Sequence, residues 1–113
     1  MRILTIVPTY NESMNIRPLI AEILALGPEY EILVIDDNSP DGTWRIVQEL
    51  AAENPRVRLL HRTTEKGRGT AGLAGFRQAR DQGFDAAIEM DADFSHQPRF
   101  IPSLVEPVGE KIG

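Results

Sequence analysis

Short apolar runs alternate with helix-forming segments along this chain, and this alternation constrains the fold more than any other feature of the sequence. The apolar runs predict buried strands at residues 3–7, 32–35, 57–60 and 86–90. Helices are predicted between and after them, at residues 16–24, 43–51, 66–83 and 98–105. Strand–helix alternation with short connections predicts an α/β fold whose mostly parallel sheet carries helices on both faces.

The polar segments that follow the predicted strands are expected to share one edge of the sheet. They are residues 8–12, 36–42, 61–70 and 91–97. The carboxyl ends of parallel strands meet at one edge, and ligands bind there, near the point where the strand order reverses. These four segments therefore form the candidate site.

Composition narrows the classes of protein and of site. The chain has 113 residues, 42% of them hydrophobic and 26% charged, which fits one globular domain. It has no cysteine and two histidines, so carboxylates are the expected metal ligands. The net charge of −5 argues against nucleic-acid binding. The sequence shows neither an apolar run of about 20 residues nor a signal-peptide pattern, so we expect a cytoplasmic protein.

Asp91 and Asp93 follow the fourth predicted strand and are separated only by Ala92. Alternate residues of an extended segment point the same way, so both carboxylates can aim at one point. Two like charges this close favour a positive partner, and a divalent cation with oxygen ligands, Mg²⁺ or Mn²⁺, is the simplest one. Such an ion can hold a diphosphate, which predicts an enzyme acting on a nucleotide-activated substrate. The alternative is a solvated turn with a helix cap. Three further side chains lie within reach of the same point: Ser95, His96 and Gln97.

Asp36 and Asp37 directly follow the second predicted strand. The turn-forming residues up to Gly42 predict a tight strand-to-helix connection, with Asp41 or Thr43 as the helix cap. Such a turn does not require two adjacent aspartates. We therefore expect one of them to accept hydrogen bonds from a base or a ribose, and the other to approach the metal.

Tyr10 and Glu12 follow the first predicted strand and admit two interpretations. In one, Tyr10 stacks on a base and Glu12 forms a hydrogen bond with a sugar. In the other, Asn11 caps the first helix and Glu12 interacts with the helix dipole. The sequence leaves both interpretations open.

Residues 67–72 match the G-x-G-x-x-G pattern of dinucleotide-binding proteins. That pattern closely follows the first strand of its fold, whereas here polar residues 61–66 separate it from the third strand. A nicotinamide or flavin site is therefore the weaker alternative. The glycines can still bring backbone amides to a phosphate at a helix start, with Lys66 and Arg68 adding positive charge. The simpler alternative is a flexible basic loop.

Four blocks of sequence carry a family resemblance. They are VPTYNE at residues 7–12, VIDDNSPDGT at 34–43, KGRGTAGLAGF at 66–76 and MDADFSHQPRFIP at 90–102. In this order and spacing they resemble the family 2 glycosyltransferases, in particular the dolichol-phosphate (polyprenol-monophosphate) mannosyltransferases. The resemblance implies a GT-A fold, which is Rossmann-like, and a metal-dependent, inverting transfer of mannose from GDP-mannose to a polyprenyl or dolichyl phosphate.

The resemblance also implies roles for individual residues. The residues that would bind the nucleotide sugar are Pro8, Tyr10, Glu12, Asp36 or Asp37, Lys66, Arg68 and Ala92. Asp91 and Asp93 would hold Mg²⁺ or Mn²⁺ against the diphosphate and would thereby be the catalytic residues.

Members of this family are normally much longer than this chain. We therefore interpret residues 1–113 as the N-terminal, nucleotide-sugar-binding part of a GT-A domain, with an incomplete sheet. A polyprenyl phosphate acceptor implies action at the cytoplasmic face of a membrane. Two alternatives stay open: a family 2 transferase with another donor such as UDP-glucose, and a fragment that binds nucleotide sugar or forms homodimers through an unpaired edge strand without turnover.

Overall fold

The strands and helices follow one another in the predicted order. The computed structural model describes residues 1–64, 67–92 and 106–107, with the backbone alone for residues 68, 106 and 107. The elements in this part of the chain are β1 (Ile3–Thr9), α1 (Ile16–Leu24), β2 (Tyr30–Asp36), α2 (Thr43–Glu53), β3 (Val57–His61), α3 (Arg68–Asp81), β4 (Ala86–Glu89) and β5 (Glu106–Pro107).

The sheet is parallel apart from one short strand. Its order is β3-β2-β1-β4-β5, and β1 pairs in parallel with both β2 and β4. β5 pairs antiparallel with β4 and was not predicted from the sequence. The strand order grows outwards from β1 to β3 and then reverses to β4, so the switch point lies between β1 and β4. The prediction of a mostly parallel sheet is confirmed.

The reversal of strand order also decides which face each helix covers. Parallel crossovers are right-handed, so α1 and α2, which progress in one direction, cover one face, and α3, which returns, covers the other. Alternate residues of β1 serve the two faces accordingly: Ile3 and Val7 pack in the core beneath α1, whereas Leu4 and Ile6 pack in the core beneath α3. Helices on both faces were predicted and are confirmed.

β1 differs from its predicted limit because it continues through Pro8 to Thr9. The N–H of Met90 donates to the carbonyl of Ile6 at 3.0 Å. The backbone polar groups of Ile6 and of Pro8, two residues later, therefore lie on the β4 side of β1. Proline has no N–H to offer on that side, and the recorded pairing of β1 with β4 ends at Ile6 and Glu89. Pairing with β2 continues to Thr9. At the switch point, β1 therefore extends beyond its pairing with β4.

α3 lies close to the sheet because it is rich in glycine. A Cβ added at Gly75 would stand 2.5 Å from Cγ2 of Ile6, and one added at Gly72 would stand 2.5 Å from Oε1 of Glu89. A Cβ added at Gly69, about one turn before Gly72, would meet no atom of another described segment within 4 Å. Of the three glycines in the G-x-G-x-x-G segment, Gly69 and Gly72 thus lie inside α3 and Gly67 precedes it.

One buried and one half-buried polar side chain bear on stability. Thr5 is fully buried in β1, and its Oγ1 has no hydrogen-bond partner among the residues described. The Arg56 guanidinium donates to three backbone carbonyls that end α1 and begin β2: those of Tyr30 at 2.9 Å, Leu24 at 3.2 Å and Gly27. Arg56 therefore closes the α1–β2 connection.

The helix predicted from Pro98 lies outside the described residues. Within the described ranges, no helix combines the length and the apolar character needed to cross a bilayer.

Candidate functional site

The loops that leave β1 and β2 are fastened to each other by side chains of the β2–α2 loop, residues 37–42, and of its helix. Three side-chain oxygens of the β2–α2 loop and the start of α2 each accept a backbone N–H of the β1–α1 loop, residues 10–15. Ser39 Oγ accepts from Asn11 at 2.9 Å, Thr43 Oγ1 from Glu12 at 3.0 Å, and Asp41 Oδ2 from Ser13 at 3.1 Å. These N–H groups lie in the turn before α1, where no helical partner is available. The side chains of one loop therefore cap the other.

The capping interpretation of Asn11 is wrong. α1 begins at Ile16 with Asn15 at its N-cap position, and no side chain caps it there. Asn11 instead adopts a left-handed backbone with φ 57°, and its N–H faces the second loop. Glu12 accepts a hydrogen bond from Asn15 Nδ2 at 3.1 Å.

Asp41 links the two helix starts. Its carboxylate accepts the N–H of Thr43, the first residue of α2, at 3.0 Å as well as that of Ser13. The N-cap position itself is Gly42, so neither predicted cap residue occupies it. Partial burial raises the pKa of Asp41, but the hydrogen bonds from Thr43 and Ser13 outweigh that effect and lower the pKa below its ordinary value of 3.8. The charged form of Asp41 is therefore the one that stabilises the two joined loops.

Asp36 is fully buried at the end of β2. Thr9 Oγ1 and Ser39 Oγ each donate to its Oδ1 at 2.6 Å, and the N–H of Ser39 donates to Oδ2 at 2.8 Å. These three donors compensate for the burial of the carboxylate. Asp36 thereby joins β1 to the β2–α2 loop.

Asp37 is the more accessible of the two adjacent carboxylates, with 14% of its side chain exposed. Arg62 Nε donates to Oδ1 at 2.7 Å, and Arg62 Nη2 donates to Oδ2 at 3.1 Å. The N–H of Gly67 also donates to Oδ2, at 3.0 Å. Asp37 therefore receives donors from both ends of the β3–α3 loop, residues 62–67.

Arg62 was not among the predicted site residues. It is 7% exposed, and its guanidinium also donates to the carbonyl of Gly67 and to Thr70 Oγ1, each at 3.0 Å. Its own N–H donates to the carbonyl of Asp36 at 2.8 Å. An arginine directly after an apolar strand was the available signal, but its partner was not predictable.

Tyr10 leaves an aromatic ring open to solvent beside the β2–α2 loop. The residue is 54% exposed, and it lines a pocket together with residues 38–42, Trp44 and Arg45. Trp44 is half-buried and stacks on His61 with 4.3 Å between ring centroids. His61 Nε2 lies 2.8 Å from Asn38 Oδ1. An aromatic and polar wall therefore borders the β2–α2 loop.

Asp91 emerges from β4 at the switch point. It is half-buried, and Ala92 after it is buried. Since the N–H of Met90 donates to the carbonyl of Ile6, Asp91 leaves the sheet beside the C-terminal half of β1. Asp93, Lys66 and the Arg68 side chain lie outside the described residues. In the part that is described, no three His, Asp or Glu side chains are grouped closely enough to hold a metal, so the paired-aspartate metal site stays a prediction.

Comparison with known proteins agrees with this geometry. The model of the Glycosyl transferase family 2 matches residues 5–111. The chain belongs to this family.

The related sequences are mannosyltransferases. The chain is 49% identical over 108 residues to an undecaprenyl-phosphate mannosyltransferase of Micrococcus luteus, covering 96% of this chain and 44% of that protein. It is 43% identical over 110 residues to a dolichol-phosphate mannosyltransferase of Pyrococcus furiosus, covering 96% of this chain and 30% of that protein. The chain thus spans less than half the length of these curated relatives.

A solved structure supports the same fold. A mannosyltransferase from Pyrobaculum calidifontis, in complex with GDP-Man and Mn²⁺, superposes with a TM-score of 0.65 at 31% identity, covering 81% of this chain and 27% of that one. The fold of this family 2 chain is therefore GT-A, and the part present is incomplete.

Proposed function

We propose that this chain is the nucleotide-sugar-binding part of a metal-dependent, inverting mannosyltransferase that uses GDP-mannose and a polyprenyl phosphate. The observation that carries the proposal is that the exposed Tyr10, the accessible Asp37 and the emerging Asp91 follow three neighbouring strands at one edge of the sheet. Hydrogen bonds join the two loops that carry Tyr10 and Asp37. Related proteins named for mannosyl transfer to polyprenyl or dolichyl phosphate support this choice of donor and acceptor.

The nucleoside would lie on the joined loops. Tyr10 offers an open ring on which a base can stack, worth about 1–3 kcal/mol per base in nucleic-acid complexes. Glu12 and Asp37 are carboxylates that can accept the N–H or O–H donors of a base and a ribose. Pro8 lies beyond the last residue of β1 that pairs with β4. The Asp36 carboxylate is fully buried, so it is not open to direct contact with a ligand. Asp36 would instead support the site through the three hydrogen bonds that it accepts from Thr9 and Ser39.

The residues at the end of β4 fit a divalent cation. Asp91 supplies a partly buried carboxylate beside the end of β1, and hard cations such as Mg²⁺ and Mn²⁺ prefer oxygen ligands. Asp91 and Asp93 would hold the ion, with Lys66 and Arg68 adding charge for the diphosphate. When bound, the ion offsets the negative charge that develops on the departing nucleoside diphosphate.

The proposed transfer needs little help from a base. The bond between C1 of mannose and an acceptor phosphate oxygen forms as the bond between C1 and the diphosphate oxygen breaks, with inversion at C1 and release of GDP. A phosphate monoester loses its second proton near pH 6, so the acceptor is already a nucleophilic anion at neutral pH. The lipid tail of such an acceptor places the reaction at the cytoplasmic face of a membrane.

Calorimetry with this chain tests the proposal. GDP-mannose should bind more tightly in the presence of Mn²⁺ than without it, and Asp91→Asn should remove that difference. Asp81→Asn, a change at an exposed residue that ends α3, is the matched control and should retain it. Equal affinity with and without Mn²⁺ would contradict a metal bridge at Asp91. Tighter binding of UDP-glucose than of GDP-mannose would transfer the proposal to another donor.

The edge of the sheet supports a second candidate, self-association. β3 pairs with β2 and is the terminal strand on its side of the sheet described. A free strand edge can pair with a second copy of the chain. Sedimentation that shows a concentration-dependent homodimer, without donor binding in calorimetry, would favour this candidate over transfer.

A further inference from the structure

Arg62 holds the two ends of the β3–α3 loop together at one carboxylate. Arg62 begins this loop and Gly67 ends it, and both donate to Asp37. The Arg62 guanidinium also reaches across the loop base to the carbonyl of Gly67. Gly67 has φ 110°, in the left-handed region that favours glycine. The two described ends of the loop are therefore tied to the ion pair between Arg62 and Asp37.

The hydrogen bonds that Asp37 accepts leave one acceptor position of its carboxylate for a further donor. A carboxylate offers about four acceptor positions, two on each oxygen. Arg62 occupies one position on each oxygen, and the N–H of Gly67 occupies the second on Oδ2. The remaining position is on Oδ1, and 14% of the side chain is exposed. Asp37 can thus accept one hydrogen bond from outside the protein while it keeps its internal partners.

We propose that Arg62 is a positioning residue for nucleotide binding, which acts by holding Asp37 with its free Oδ1 acceptor towards a donor N–H or O–H of the nucleoside. This inference rests on the proposed function. The Arg62 side chain is 6% exposed and is directed to protein acceptors, so it acts through Asp37 and not by touching the ligand. The bidentate fork of arginine is what fixes the plane of the carboxylate.

The fork makes a specific prediction for lysine. Lysine at this position keeps the positive charge beside Asp37, so the buried pair is not left with an isolated charge. A single ammonium group cannot reproduce parallel bonds to both oxygens together with those to Gly67 and Thr70. Arg62→Lys should therefore fold, yet leave Asp37 free to rotate away from the ligand.

Binding of GDP in the presence of Mn²⁺, measured by calorimetry on the full chain, tests this. Arg62→Lys should weaken GDP binding about tenfold, the value of one hydrogen bond to a charged group. The matched control is Arg58→Met. Arg58 lies at the start of β3, at the end of the strand away from the site, and the change removes its ion pair with Glu31. The control should lower the urea midpoint and leave the GDP affinity unchanged.

A double-mutant cycle separates positioning from a general loss of stability. Asp37→Asn should weaken GDP binding. Arg62→Met should weaken GDP binding in the chain that has Asp37, but should cause no additional loss in the Asp37→Asn chain. If Arg62→Met does not fold, the lysine variant alone decides.

Three outcomes distinguish the proposals. If Arg62→Lys binds GDP with the affinity of the unchanged chain, or if the losses in the cycle are additive, the role of Arg62 is overturned. In both cases GDP binding by the unchanged chain still supports the proposed function. An unchanged chain that binds no GDP would overturn both.

Discussion

Gly75→Ala should destabilise this protein, although alanine is the better helix former. Inside a helix, replacing glycine by alanine gains about 1 kcal/mol. At Gly75, however, the new methyl would lie 2.5 Å from Cγ2 of Ile6 and 2.9 Å from two further carbons of the same side chain. Carbon atoms are optimally separated by about 3.5–4.0 Å, so the helix or Ile6 must shift by roughly 1 Å.

Ile6 has no room to yield, because it is fully buried in the central strand β1. Overpacking of a rigid core typically costs about 1–3 kcal/mol, and this site belongs in the upper part of that range. After the gain in helix propensity, we expect a net loss of about 1–2 kcal/mol for Gly75→Ala.

Gly69→Ala in the same helix is the matched control. Apart from its chain neighbours and the backbone of its own helix, no described residue has an atom within 4 Å of the position that its Cβ would take. This variant should therefore gain a few tenths of a kcal/mol up to about 1 kcal/mol. Urea unfolding followed by circular dichroism measures both variants. The reasoning is refuted if Gly75→Ala is as stable as the unchanged protein, or if both variants change stability in the same direction.

Three further predictions concern polar groups. Thr5→Val should raise the free energy of unfolding by about 1 kcal/mol, because it replaces a buried hydroxyl that has no described partner with a methyl of similar size; a lower urea midpoint would contradict this. Arg56→Met should lower the free energy of unfolding by about 2 kcal/mol, since it leaves three carbonyls at the α1–β2 connection without their donor; an unchanged midpoint would argue against this role. The pKa of Asp41 is lower in the folded protein than its ordinary value of 3.8, so its stabilisation is present above pH 3.8 and is lost as the pH falls through the folded value. Asp41→Asn should therefore flatten the decline of the urea midpoint below about pH 4, and an equally steep decline in this variant would show that the group contributes nothing.

The predicted strands and helices were largely correct because each carries a local pattern. The apolar run from Ile3 to Val7 and the spacing of Ile16, Leu19, Ile20 and Ile23 have the periodicity of the elements that they form. The end of β1 was misplaced, since a proline usually stops pairing. Here its missing N–H faces a side where pairing has already ended.

The site was predictable as an edge but not as a set of contacts. Asp36 and Asp37 are adjacent in sequence and equivalent in chemistry, yet one is fully buried beneath three donors and the other is held by Arg62 with part of its surface open. Ser39 donates to Asp36 from the same loop, but the other donors are distant in sequence. Thr9 in β1 donates to Asp36, and Arg62 and Gly67 of the β3–α3 loop donate to Asp37.

The amino-acid sequence by itself determined the α/β class, the order of the elements and the edge at which the polar segments meet. Periodicity and chain connectivity are local properties, and right-handed crossovers convert them into a topology. Only the tertiary structure decided which carboxylate stays accessible, which loop caps which helix and where glycine is required for packing. Those outcomes depend on hydrogen bonds and close contacts between residues far apart in the chain, such as Asp37 with Arg62 and Ile6 with Gly75.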